Sequence, residues 1–344
     1  MMKNWVLIGL LALIGCSCST DVDLYADYKD IPVIYGLLDS QSDTNFIKIT
    51  KAFCGTNDDP VNANEAALIY DSSNYSFKLN AYIEELKSTS GQSFEPTGRR
   101  LQLDTLTIHN KKEGVFYSPD QLLYYTTARF NTNNAGNKYR YKLCVVKTDC
   151  DTATAETSVL GGDIVIGAPQ MTFVSTPVPQ TGSFVFSATE EAVLYEFGMR
   201  FNYREVHPGQ PVESKQVAWS LGPKLLDAYQ KVEGADDLYE AFYSKNTLFN
   251  LLEQAIGADT VWDDNHPNVI RYIDDFEISL SASAEDFYIY YQSLQHGLSL
   301  STEYSNVKGG YGLFSSRVFV RKTAQLSAGT KFELFRKPWG FREQ

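Results

Sequence analysis

Apolar and polar positions alternate with a period of two along much of the chain, and that alternation predicts β-strands. Between Ile31 and Gly162 seven short segments carry it. Pro32–Leu38 is a mostly apolar run. Asn45–Phe53 sets Ile47 and Ile49 against Phe46, Lys48 and Thr50, and Tyr75–Ile83 places Tyr75, Phe77, Leu79, Ala81 and Ile83 on one face. Leu101–Ile108, Gln121–Ala128, Lys138–Val146 and Thr152–Val159 complete the series, joined by polar connections rich in Gly and Asn. Short strands at this spacing predict an antiparallel β-sandwich over residues 31–168.

Gly161-Gly162 and the prolines from Pro169 to Pro179 mark a boundary, where Thr176-Pro-Val-Pro179 is stiff and extended. Residues 180–344 then mix element types and predict an α+β, helix-decorated β domain. Gly182–Ser187, Val193–Tyr203, Gln216–Leu221, Val269–Ala282 and Ser315–Arg321 read as strands. Asp237-Leu-Tyr-Glu240 has the form of a helix capping box, and Leu238, Phe242, Phe249, Leu252 and Ile256 form a stripe ending before Gly257. Ser283 with Asp286 predicts the start of a second helix, from Phe287 to about Leu294. Lys308–Phe314 is a glycine-rich turn whose Gly309-Gly310-x-Gly312 fits a backbone needing positive φ better than a dinucleotide loop. The fold class expected is mainly β: an immunoglobulin- or fibronectin-like sandwich, to judge from the last hairpin with its Tyr139, Tyr141, Leu143 and Val145, followed by the α+β domain.

The opening residues carry a different signal. One cation, Lys3, precedes the apolar run Trp5–Ile14, which is the pattern of a secretory signal. At 1.5 Å rise, about ten residues cannot span a ~30 Å hydrocarbon core. Leu13-Ile14-Gly15-Cys16 is similar to the bacterial lipobox, so residues 1–15 are expected to be a cleaved signal peptide and Cys16 to receive diacylglycerol and a further acyl chain, palmitate-like in effect. Cleavage before Cys18 fits worse, because Cys16-Ser17 would precede it. Residues 16–30, with Asp21, Asp23 and Asp27, read as an acidic tether.

Composition narrows the function classes. The 344 residues carry a net charge of −12, and loss of Lys3 with the signal would make it −13. An acidic body argues against nucleic acid and against lying flat on anionic lipid. Tyr (22) and Phe (20) are abundant, which suits strands and wet interfaces. Cys144 and Cys150 flank Val-Val-Lys-Thr-Asp. They could bond if Lys147-Thr148-Asp149 is a hairpin turn, and would be free thiols if the segment is straight.

A search for chemistry returns little. His109, His207, His266 and His296 have no metal-ligand spacing, and no His-Glu-x-x-His, Gly-x-Ser-x-Gly or P-loop exists. Asn57-Asp58-Asp59 with Asn62, Asn64 and Glu65 is a polar loop without the register of a calcium hand. Asp263-Asp264 beside Trp262 is the one carboxylate group placed as in a glycosidase cleft, a remote alternative. Trp219, Trp262 and Trp339 are candidates for stacking on a glycan. The basic end from Lys331 to Arg342, with Phe332, Phe335, Trp339 and Phe341, reads either as a docking edge or as a last strand pair. No cofactor, metal or catalytic residue is expected.

Three passages carry a resemblance: the lipobox with its acidic followers, the strand pair Ile31–Asp39 and Asn45–Phe53, and Ser305-Asn306-Val-x-Gly-Gly-Tyr-Gly-Leu-Phe-Ser-Ser316. In these the chain resembles an uncharacterised family of surface lipoproteins of Bacteroidota. That resemblance implies an outer-membrane lipoprotein with an immunoglobulin-like first domain and a larger second one, and no reaction. By analogy with lipoproteins that sit beside outer-membrane transporters, it implies a non-catalytic binding or scaffold subunit docked on an outer-membrane protein. The competing expectation is a surface glycan- or ligand-binding adhesion lipoprotein.

Overall fold

The computed structural model of the protein describes residues 31–52, 73–109, 120–147, 151–161, 164–167, 170–174, 180–256, 269–295 and 304–343. Strands dominate them, and the fold is mainly β, as the alternation predicts. Residues 1–30, where the signal peptide, Cys16 and the tether are expected, and the polar stretch at 57–65 lie outside the described residues.

The first half forms two antiparallel sheets. One contains β1 (Pro32–Leu38), β2 (Asn45–Lys51), β5 (Asp104–Ile108) and β6 (Gln121–Thr126) in the order β1-β2-β6-β5. The other contains β3 (Asn80–Ser88), β4 (Glu95–Gln102), β7 (Lys138–Val146) and β8 (Thr152–Thr157) in the order β4-β3-β7-β8. Ile34, Ile47, Ile83, Leu103, Leu143 and Val145 fill the space between them, all fully buried. Two tyrosines tie the sandwich with their hydroxyls. Tyr124 on β6 accepts the Leu79 N–H of the opposite layer at 2.8 Å. Tyr141 on β7 accepts the Asn131 N–H ten residues upstream at 2.6 Å, a relation like the tyrosine corner of Greek-key sandwiches.

Two predicted strands differ in detail. The Tyr75–Ile83 segment enters its strand only at Asn80 and runs on to Ser88. Leu101–Ile108 is not one strand: the chain leaves β4 at Gln102, buries Leu103 and starts β5 in the other sheet. Alternation continues through such a corner, so the pattern does not reveal the change of sheet.

The second half centres on four long strands, β11 (Ala192–Val206), β12 (Glu213–Leu225), β15 (Ile270–Ala284) and β16 (Tyr311–Leu326), in the order β12-β11-β15-β16. From Tyr195 onward β11 alternates, with Tyr195, Phe197, Met199, Phe201 and Tyr203 buried on one side. A small sheet of β10 (Thr181–Ser187), β14 (Leu238–Ser244) and β13 (Gln230–Lys231) covers that aromatic face. The helix α1 (Thr247–Ile256) adds Leu248, Phe249, Leu252 and Ile256 to the same core. A second helix, α2 (Glu285–Gln295), follows β15 directly, where Ser283 and Asp286 predict one.

Two expectations are corrected here. Asp237–Glu240 does not cap a helix. Residues 238–244 form β14, with Ala241 and Tyr243 buried and Phe242 outward, and the helix begins nine residues later at Thr247. Bulky aromatics suit a pleated strand better than a helix, and their period here is two. The C-terminal basic stretch is not a strand pair. It is the helix α3 (Ala328–Arg336), whose first turn Ser327 caps through the Thr330 N–H, followed by the short strand β17 (Phe341–Arg342) beside β15. Phe341 is fully buried and Phe332 is 60% exposed, so the aromatics of this stretch do not share a face.

The halves expected to be separate share a strand. Residues 311–316 of β16 pair in parallel with β1, and residues 317–324 pair antiparallel with β15. One ten-stranded sheet therefore runs through the molecule, with the two-residue strand β9 (Gln170–Met171) beside the end of β16 and β17 beside β15. The first core takes Val307 and Phe314 from the far end of the chain, and the second core begins at Leu160, ahead of the 168/180 boundary. The segment from Ser305 to Ser316 is what makes this seam. The Asn306 side chain donates to the Phe314 carbonyl at 2.8 Å and accepts the Phe314 N–H at 2.9 Å. The Ser316 hydroxyl, with no exposure, donates to the Leu38 carbonyl and accepts the Leu160 N–H. Gly309 and Gly312 both hold positive φ, as the turn requires.

Candidate functional site

Helix α2 lies across the outer face of the shared sheet. Leu313 and Ser315 of β16 are buried on that face. The helix is anchored at its start by a hydrogen bond from the Tyr304 hydroxyl to the Asp286 carboxylate, and the Arg317 guanidinium sits 5.9 Å from the Phe287 ring centroid. Residues 285–295 include Phe287, Tyr288, Tyr290, Tyr291 and Leu294, yet none of them is fully buried. An aromatic-rich helix in that state leaves apolar surface open to a partner.

Between α2 and strands β1 and β2 is a cleft of about 450 Å³. It is lined by Tyr35, Phe46, Phe287 and Tyr290 together with Leu37, Leu313 and Asp39. The rings of Tyr35 and Tyr290 meet edge to face at 6.1 Å across it. The strands explain the placement. On β1 and β2 the residues Ile34, Ile47 and Ile49 point into the sandwich, so Tyr35 and Phe46 must point out. Phe46 also meets Tyr125 of β6 at 6.1 Å. Three large apolar side chains of β1, β2 and β5 are open to solvent: Tyr35 at 38%, Phe46 at 42% and Leu106 at 47%.

Asp39 belongs to the β1–β2 turn. Its Oδ1 accepts the Gln41 N–H at 2.8 Å, and the buried Asn45 grips its backbone, accepting the Asp39 N–H at 2.6 Å and donating to its carbonyl at 3.2 Å. Burial raises the pKa of the Asp39 carboxyl above the ordinary value, against hydrogen bonds from the Gln41, Phe319 and Ser42 backbones and the charge of Arg317, which act to lower it.

The residues singled out in the sequence mostly lie elsewhere. Trp339 is only 7% exposed, packs 6.0 Å from Phe249 and belongs to the second core, so it offers no platform to a sugar. Trp219 is half-buried at the sheet edge, with its ring 5.9 Å from both Phe173 and Phe276. Both tryptophans are drawn inward by their area, Trp219 from strand β12 and Trp339 from the turn between α3 and β17. Trp262, Asp263 and Asp264 lie outside the described residues. Cys144 is a buried free thiol; burial pushes its pKa up, and its cross-strand neighbours are Tyr82 and Thr154. The hairpin expected there does form, but its register sets Thr154, and not a residue of the turn, opposite Cys144, and Cys150 lies outside the described residues.

The chemistry of other polar clusters is structural. Glu85, buried in the sandwich, accepts hydrogen bonds from Arg99, Tyr141, Asn131 and Thr97. Arg271, also buried, donates to Glu205 at 2.7 Å and to the Trp339 carbonyl at 2.6 Å. Asp274 and Asp275 are engaged by Arg204 and Asn202. Among the described residues no group of His, Cys, Asp and Glu is arranged to hold a metal ion, and no helix is long and apolar enough to cross a membrane. The exposed aromatics of β1, β2 and α2 were missed in the sequence because they are far apart in the chain; the outward phase of Tyr35 and Phe46 was the only available signal. No family model and no curated protein matches the chain.

Proposed function

We propose that this protein is a non-catalytic binding or scaffold subunit, held at an outer membrane through lipid on Cys16, that docks on a membrane protein complex through the aromatic outer face of its first sheet. The observation that carries the reading is the pair of exposed aromatic side chains Tyr35 and Phe46, which line the cleft under α2, with exposed Leu106 two strands from Phe46. Aromatic residues are enriched where proteins meet, and a contiguous exposed apolar patch marks such a surface. The acidic tether and negative body suit a domain that stands off the lipid. The test is affinity capture from detergent-solubilised membranes with the full chain and with Phe46→Ser and Leu106→Ser variants. A partner retained by the native chain and lost with the variants supports docking; a strictly monomeric lipoprotein refutes it. Cys16→Ser should release the protein into the soluble fraction.

A second reading draws on the same cleft. Tyr35 and Tyr290 could stack on a sugar ring, which would make this a surface glycan-binding or adhesion lipoprotein. A glycan array probed with the folded protein decides, and silence there removes the option.

A further inference from the structure

The cleft beneath α2 combines aromatic walls with one carboxylate. Tyr35, Phe46, Phe287 and Tyr290 line it, and so does Asp39. Asp39 forms no ion pair among the described residues: the nearest cation acting on it, Arg317, stacks on Phe287 and donates to the Ser281 hydroxyl on the neighbouring strand. A half-buried carboxylate without a paired cation is stabilised by an incoming positive charge, and aromatic faces attract the same charge through their quadrupoles. The two contributions favour one kind of occupant. The net charge of −12 adds long-range attraction for it.

We infer that this cleft receives a basic side chain, Lys or Arg, projecting from the docked partner protein, with its cationic head at Asp39 and its stem between Tyr35, Phe46 and Tyr290. The inference rests on the docking reading above and names the chemistry of its anchor. The space is ample, since about 450 Å³ exceeds what one extended basic side chain fills. Beside these aromatics the cleft is lined by Leu37 and Leu313, apolar surface against which the stem of a basic side chain packs. An arginine or lysine seated among aromatics is a common centre of binding energy in an interface. The turn that carries Asp39 is already fixed by Asn45, so the carboxylate is held in place before binding.

The experiment uses the full folded chain and a pair of short peptides, one centred on lysine or arginine and one with norleucine in that position, titrated by calorimetry and by chemical-shift perturbation. The basic peptide should bind at least tenfold more tightly than the neutral one, and the preference should weaken with added salt. Asp39→Asn, which keeps the acceptor for the Gln41 N–H, should abolish the preference, and Tyr290→Leu should reduce binding of the basic peptide several-fold. Circular dichroism of each variant verifies the fold. Equal binding of the two peptides, an unaltered preference in Asp39→Asn, or a neutral oligosaccharide displacing the basic peptide from Tyr35 and Tyr290 would each overturn the inference. The docking reading fails separately. If membrane capture is lost with Phe46→Ser but unaffected by Asp39→Asn, docking stands and the cationic anchor does not.

Discussion

Gly312 lies against Ile34 so closely that a Cβ on the glycine would sit 1.9 Å from the Ile34 carbonyl oxygen. Its φ is +114°, outside the range that side chains adopt readily. This is the point where β1 and β16 pair in parallel, with Ile34 and Gly312 in register. Gly312→Ala should therefore lower stability by about 3 kcal/mol or more, by combining a backbone clash with strain. Denaturant unfolding checks the magnitude, and proteolysis should show β1 released first. A variant as stable as the native chain would contradict the pairing.

Glu85 should make the fold sensitive to acid. Burial acts to raise its pKa, but the hydrogen bonds from Arg99, Tyr141, Asn131 and Thr97 outweigh burial and hold it below the ordinary value. A carboxyl lowered in the folded state contributes stability that is present above its unfolded pKa. That contribution is lost as pH falls through the folded value. Glu85→Gln should cost about 2–3 kcal/mol at pH 7 by leaving Arg99 and its neighbours poorly paired, and the variant should lose less than the native protein between pH 5 and 3. Urea midpoints measured across that range supply the comparison.

The pair Arg271 and Glu205 anchors the end of the described chain. Arg271 reaches the Trp339 carbonyl through its side chain, and its backbone N–H bonds the Gly340 carbonyl at 2.9 Å. Arg271→Ala leaves Glu205 buried with only the His207 ring, 3.6 Å from its other oxygen, beside it, and should cost about 3 kcal/mol. Replacing both partners, as in Arg271→Met with Glu205→Leu, should recover a large part of that loss. Thermal unfolding of the two single variants and the double variant tests this, and additive losses would argue against a coupled pair.

Ser315 gives a prediction of opposite sign. Its hydroxyl is fully buried and meets no hydrogen-bond partner among the described residues. Ser315→Ala removes an unsatisfied polar atom at almost constant volume, so stability should stay level or rise by up to about 1 kcal/mol. A clear loss of stability in calorimetry would mean that the hydroxyl has a role not visible here.

Local features of the fold were legible in the sequence, and non-local ones were not. Lys138–Val146 could be read at both ends, because nine alternating residues between turn signals leave one register. The long strands around Val193–Tyr203 and Val269–Ala282 were legible for the same reason. The helix that Asp237 seemed to open was not, since an acidic residue followed by Leu-Tyr-Glu is compatible with either element. Parallel pairing of Pro32–Leu38 with residues 311–316 leaves no trace in either segment. Its only local signature was the cluster of glycines at 309, 310 and 312, which the sequence marked as a turn. The tryptophans drew attention as platforms, yet Trp339 went to the core. The exposed aromatic surface came instead from Tyr35, Phe46 and Tyr290, whose proximity depends on the fold.

The seam at Ser316 has a consequence for the order of folding. Its hydroxyl joins Leu38 across 278 residues of sequence, and Phe314 completes a core begun by Ile34. Closing so large a loop is slow and is not rewarded until both ends are present. A chain emerging from its N-terminus would hold the first sandwich with one strand edge open and its interior unfilled until residues 306–316 arrive. The first half would then be the part most exposed to chaperones and to misassembly, and it would gain its protection last although it is synthesised first.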